Sequence, residues 1–145
     1  MKKLLIALFA LTFVFTLSAC ASESEVSYED GRYRGIYVDR DEVQVVIQFD
    51  LEDNTITNIS FRWLAYGGVD YREDESETIQ AIYDQHQEAI DYLLDTDIRD
   101  TLDDLYNPGE IGISDVDDNF TGATIRSNKI VSAIRDALNR GVYSY

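Results

Sequence analysis

The sequence predicts an α+β domain, with an antiparallel sheet and two or three helices packed on it in a single small unit. Three observations carry this. From Gly31 to about Trp63 apolar and polar residues alternate, the period-two pattern of strands with one buried face. After Thr78 the apolar spacing changes to three and four, the period of an amphipathic helix. Strands come first and helices after, a segregation that marks α+β rather than alternating β and α units.

The elements follow in order. Tyr33, Gly35 and Tyr37 alternate with Arg32, Arg34 and Ile36 in a first strand. Val43, Val45, Ile47 and Phe49 alternate with Gln44, Val46 and Gln48 in a second, after a break at residues 39–41. A break at residues 52–54 leads to a third strand carrying Ile56, Ile59, Phe61 and Trp63, with Trp63 packed in the core beside Phe61. Residues 66–71 read as a loop around Gly67 and Gly68, and residues 72–77 continue it. A helix then places Ile79, Ile82, Tyr83, His86, Ile90, Leu93 and Leu94 on one face and ends near Asp95. Thr96 or Asp97 caps a shorter helix with Ile98, Leu102 and Leu105 inward, and Asn107-Pro108-Gly109 stops it. Ile111, Ile113 and Val116 alternate as a short strand. Ile130, Val131, Ile134, Ala137 and Leu138 form the face of a last helix, which starts near Ser127 and has Gly141 at its C-terminal end.

The chain begins with two lysines, an apolar run over residues 4–17, and then Leu17-Ser18-Ala19-Cys20. Fourteen residues are too few for a membrane span, which needs about 20. This arrangement is that of a secretory signal, here over residues 1–19. The four residues ending at Cys20 resemble the lipobox of bacterial lipoproteins, in which the cysteine is lipidated and becomes the first mature residue. Cys20 is the only cysteine and so has no disulfide partner. The expectation is a protein lipid-anchored to the cell membrane on its extracytoplasmic face. Cys20 and a short polar tether cover residues 20–29, and the folded domain covers residues 30–145. Beyond the signal, ten basic residues face 28 acidic ones, a formal charge near −18. Nucleic acid is excluded as a partner, because binding phosphates draws on Lys and Arg.

The segment with chemistry in it is Asp117-Asp118-Asn119-Phe120-Thr121-Gly122-Ala123-Thr124-Ile125-Arg126-Ser127, just ahead of the last helix. It resembles the flavinylation signature of the FMN-binding domain family, an Asp followed after a few residues by Ser or Thr and then Gly-Ala-Thr. That family includes flavin-bearing subunits of the sodium-pumping NADH:quinone oxidoreductase and many bacterial lipoproteins. The opening Asp30-Gly31-Arg32-Tyr33-Arg34-Gly35 and the Asp53-Asn54-Thr55-Ile56 hairpin are also similar to the family's. The resemblance implies FMN joined through its phosphate to Thr124 by a dedicated flavin transferase, with Asp117, Thr121, Gly122 and Ala123 completing the signature. Asp118 stands where the family often has Gly, and Arg126 where it usually has Ser or Thr; Ser127 supplies a hydroxyl one place on. Arg126 is a candidate to contribute charge to the phosphate.

Elementary chemistry supports the same segment. Gly122 and Ala123 leave a modifying enzyme open access to the hydroxyl. A helix starting just after the motif offers unpaired N–H groups and partial positive charge to a phosphate. An acidic domain also holds anionic FMN poorly by charge alone, which gives covalency a purpose. Trp63, Tyr66 and Tyr71 are candidates to wall the flavin ring.

No other constellation carries chemistry. His86, the one histidine, has no free cysteine to join it, which leaves no zinc set and no Ser-His-Asp triad, and it sits on its helix as a boundary residue. A calcium loop from Asp115 would need Gly at 120 and Glu at 126, where the chain has Phe120 and Arg126. Asp97, Asp100, Asp103 and Asp104 form a solvated helix face. No catalytic residue and no metal ligand is assigned. The resemblance implies an electron carrier, not an enzyme, relaying electrons between membrane-bound redox partners and other carriers or extracellular acceptors. A flavin-free binding or structural lipoprotein of the same fold and, more weakly, a flavin-dependent reductase are the alternatives.

Overall fold

The computed structural model describes residues 26–113 and 122–144, with side chains in the second stretch from residue 127 onward. Cys20, Asp117 and Thr121 lie outside the described residues.

Four strands, β1 (Gly31–Asp39), β2 (Glu42–Glu52), β3 (Thr55–Tyr66) and β4 (Val69–Asp70), form one antiparallel meander in chain order. Its three turns share one solution. Arg40 and Asp41, Asp53 and Asn54, and Gly67 and Gly68 each take positive φ in pairs. Two such residues make the two-residue turn whose twist matches that of antiparallel strands. The last turn corrects the expected loop at residues 66–71. Two glycines meet the φ > 0 requirement without strain, so the chain folds straight back into β4.

Three bulges interrupt the alternation, and they decide which side chains face the core. Gln44 is the extra residue between the pairs Tyr37–Val45 and Val38–Val43. Arg62 is extra between Val46–Trp63 and Ile47–Phe61, and Thr57 between Asp50–Asn58 and Leu51–Ile56. An inserted residue turns the next side chain to the other face. Gln44 and Val45 are therefore both buried. Phe61 and Leu64 point inward, while Trp63 is 39% exposed opposite Val46. This corrects the expectation that Trp63 packs in the core with Phe61.

Helix α1 (Glu77–Leu93) buries Ile82, His86, Ala89, Ile90 and Leu93 against the sheet. It starts after Ser76 and ends two residues before Asp95, leaving Leu94 exposed instead of inward. His86 is buried in the core and not at its boundary. Asp97 caps the one-turn helix α2 (Ile98–Thr101) by accepting from the Arg99 N–H. A 3-10 turn over Leu102–Tyr106 continues it, burying Leu102 and Leu105. A second 3-10 turn, Pro108–Ile111, replaces the expected strand at Ile111 and Ile113, because Pro108 opens it and Gly112 closes it in the left-handed region. Val116 lies outside the described residues.

Helix α3 (Gly122–Arg140) starts five residues ahead of the expected Ser127, since no proline or other breaker interrupts the run. It runs antiparallel to β1. The Tyr143 N–H donates to the Arg32 carbonyl at one end. In the middle, Asp136 Oδ2 accepts from the Ile36 N–H at 2.9 Å. At the other end, Lys129 reaches Asp39. Gly35 permits this approach, for a Cβ there would stand 1.9 Å from the Ala133 carbonyl oxygen and 2.6 Å from the Ala137 nitrogen. Ile130, Val131, Ile134 and Ala137 complete the core with Ile47, Phe49 and Ile90. Tyr33 and Phe49 stack within it, their ring centroids 5.3 Å apart.

The Asp30-to-Gly35 segment thus serves as scaffold. Asp30 accepts from the Asp53 N–H, Tyr33 donates to the Glu29 carbonyl, and Gly35 seats α3.

Candidate functional site

Because α3 runs against β1 in this sense, its first turn lies at the end of the sheet holding the β1–β2 and β3–β4 turns. Thr124 falls in that first turn, with Gly122 and Ala123 ahead of it. The N–H groups of a helix's first turn have no partner within the helix, and they face outward along its axis. Ser127, one turn on, is buried.

About two turns further along α3 stands Lys129, the only lysine after residue 3. Its side chain is 16% exposed. The ammonium donates to Gln44 Oε1 and lies 3.5 Å from Asp39 Oδ2. It also lies 5.5 Å from the ring centre of Tyr37 and 5.3 Å from that of Tyr66, within cation–π range. Gln44 is oriented by its other end, where Nε2 donates to Glu42 Oε2 at 3.1 Å. Glu42 is held in turn by the Gly68 N–H at 2.8 Å and the Gly67 N–H at 3.2 Å. These N–H groups, the Gly68 one foremost, hold the Glu42 carboxyl below its usual pKa, with the Gln44 amide adding to the effect. One connected set of hydrogen bonds therefore runs from the β3–β4 turn through Glu42 and Gln44 to Lys129.

Under this network lies a small crevice of about 10 Å³ lined by Gln44, Val45, Leu64, Ala65, Tyr66, Tyr71, His86 and Lys129. Pockets that enclose small ligands span roughly 300–1,000 Å³. This one has room for about one water molecule and does not enclose a ring. Tyr66, 48% exposed, forms the outer lip, and Tyr71 is buried behind it. His86 sits at the base, with Nδ1 donating to the Ile82 carbonyl at 2.6 Å and its ring edge-on to Phe61 and Tyr71.

Of the three candidate ring walls, Tyr66 and Tyr71 come together here and Trp63 does not. Trp63 faces outward beside Val43, donating to its carbonyl at 2.9 Å, with the Arg72 guanidinium over its ring. Arg72 is fixed by Asp70, whose carboxyl it holds below the ordinary value.

Sequence reasoning missed Lys129, Gln44 and Tyr37. The available signal was the solitary lysine two residues after Ser127. The acidic helix face also differs in part from expectation. Asp97 pairs with Arg99, Asp103 with Arg135, and Asp104 accepts from the Tyr92 hydroxyl. Among the described residues no group of His, Cys, Asp and Glu is placed to hold a metal ion, and no helix is long and apolar enough to cross a membrane.

A family model described as "FMN-binding domain" matches residues 40–139, about two thirds of the chain. No curated protein and no solved structure gives a significant match.

Proposed function

Because the chain belongs to the FMN-binding domain family, we propose that it carries FMN esterified through its phosphate to Thr124 and works as an electron carrier. The observation behind this reading is the position of Thr124 in the first turn of a 19-residue helix.

The start of α3 fits the phosphate end of the group. The outward N–H groups of α3's first turn and the partial positive charge there suit a phosphate. The exposed ring of Tyr66 offers an apolar surface at the same end of the sheet. Gly122 and Ala123 keep the threonine accessible to a transferase, Asp117 and Thr121 complete the signature, and Arg126, which departs from it, is a candidate to add charge at the phosphate. When bound, FMN supplies one- and two-electron redox chemistry, and the protein places and tunes it. The chain's own task is then to hold the ring at an open lip where another carrier can approach.

Lipidation of Cys20 after removal of residues 1–19 would tether the domain to the outer face of the cell membrane through about nine residues. Membrane-bound redox proteins are then within reach as partners. A flavin-free lipoprotein of the same fold is the competing reading. Co-expression of residues 21–145 with a flavin transferase distinguishes them. The carrier reading expects in-gel flavin fluorescence and a mass increase of one FMN less water. Their absence with a competent transferase leaves the flavin-free reading.

A further inference from the structure

The sheet has a second face that α1 and α3 do not cover. Those helices pack on the side of Tyr33, Ile47 and Phe49. The side chains that point the other way fall into two halves. Towards the β2–β3 turn they are polar and mutually satisfied. Arg32 pairs with Asp50, which also accepts from Asn58, and Arg34 donates to Gln48. Towards the β1–β2 turn they are apolar. Ile36, Val46 and Trp63 stand side by side across three strands, and Val38 pairs with Val43 in the next row. Val38 is 47% exposed and Val43 40%, and the Trp63 indole reaches over to donate to the Val43 carbonyl. The solvated face of an antiparallel sheet is ordinarily polar. A single exposed apolar residue calls for no explanation, but a contiguous group marks a contact surface.

The charge around this group runs against that of the whole chain. The bulge in β3 sets Arg62 and Trp63 together opposite Val46, and Arg62 is exposed. Arg72 lies over the Trp63 ring with Asp70 as its partner. Arg34 flanks Ile36, held by Gln48 and by the Tyr143 ring 4.3 Å away. Among the described residues neither Arg34 nor Arg62 is paired with a carboxylate. Asp39 and Glu42, at the end of the same hairpin, turn to the other face, towards Lys129 and the Gly67 and Gly68 N–H groups. Two unbalanced arginines thus border the apolar group in a chain with 28 acidic residues against 12 basic ones.

We propose that this face docks another protein, one that presents carboxylates around an apolar centre. Tryptophan and arginine are the residue types that dominate the buried centres of protein contacts, and unlike charge at the rim selects and orients the partner. A second copy meeting face to face would bring the same two unbalanced arginines to the contact from both sides. An anionic membrane is an extended surface and would also meet the acidic flanks. A protein contact covers roughly 800 Å² on each side, and salt confines charge effects to about 8 Å, so such a partner meets this face alone. The inference stands whether or not Thr124 bears a flavin.

Trp63 is the only tryptophan, so its emission reports on this face. The probe is a synthetic amphipathic helical peptide with leucine on one side and glutamate on the other, titrated into residues 21–145. A saturable blue shift of the Trp63 emission is expected, weakened by salt. Arg62→Glu and, separately, Val43→Gln are expected to weaken binding by about tenfold or more. Arg140→Glu, the same charge change at the far end of α3, is expected to bind as wild type does. The same peptide with lysine for glutamate is expected to leave the emission unmoved. No shift with the glutamate peptide overturns the inference, and so does an equal response to the lysine peptide or equal affinity in Arg62→Glu and Arg140→Glu. A shift given by phosphatidylglycerol vesicles and not by the peptide overturns it in favour of a membrane. A probe-free dimer in sedimentation equilibrium that Val43→Gln abolishes overturns it in favour of a second copy.

Discussion

Replacing Gly35 with alanine perturbs the contact that sets α3 against β1. The new Cβ would stand 1.9 Å from the Ala133 carbonyl oxygen and 2.6 Å from the Ala137 nitrogen, both backbone atoms, and 2.8 Å from the Ala137 Cβ. Ordinary contact begins near 3.4 Å, so helix and strand must part by about 1.5 Å. Neither partner is a flexible side chain, and the residues behind them, Ile130, Val131 and Ile134, are fully buried. Overpacking a core costs about 1–3 kcal/mol, and a clash of backbone on backbone falls at the top of that range. At about 3 kcal/mol the thermal midpoint of a domain of this size drops by roughly 10–15 °C. Circular dichroism of residues 21–145 measures it directly. Gly109→Ala is the control, because nothing lies within 4 Å of a Cβ there and a surface change of that kind moves stability by about 0.5 kcal/mol at most. A Gly35→Ala midpoint within about 2 °C of wild type would refute the claim that this glycine seats the helix carrying the candidate site.

Ile134→Ala, at a fully buried position on the same helix, should cost about 2–5 kcal/mol in urea unfolding. The pH dependence follows from Asp50 and Asp70, whose carboxyls Arg32 and Arg72 hold below the ordinary 3.8. Being lower in the folded protein, they add stability above that value, which is lost as pH falls through the folded values. The thermal midpoint should therefore decline below about pH 4, and less steeply in Asp50→Asn. Cys20→Ser, expressed in full length in a bacterium, should leave the membrane fraction, and retention there would remove the lipid anchor from the account.

The strands and the final helix were legible because burial on one face imposes a period, and Val45, Ile47, Phe49, Ile130 and Ile134 carry that period directly. Bulges are not written in a period. The extra Arg62 sends Trp63 outward, and the extra Gln44 turns a polar side chain inward, though both strands still look like regular alternation over most of their length. The Gly67-Gly68 turn was visible as a break, but not as a hairpin, because β4 is two residues long. Ile111 and Ile113 mimic a strand by spacing alone, where Pro108 and Gly112 shape a 3-10 turn. The site was half legible. Gly122-Ala123-Thr124 could be found by its local pattern, and Tyr66 and Tyr71 by their place beside the glycines. The Glu42–Gln44–Lys129 network could not, since its members are as many as 87 positions apart in the chain and meet only because α3 lies antiparallel to β1.

The central claim is that Thr124 is the residue that bears the flavin. Trypsin should release residues 100–126 as one peptide, because no lysine or arginine lies between Arg99 and Arg126. That peptide contains Thr101, Thr121 and Thr124. Fragmentation of this peptide from transferase-treated protein should place the mass of one FMN less water on Thr124, and Thr124→Ala should abolish it. A modification mapped to Thr121, or one that survives Thr124→Ala, would contradict the account.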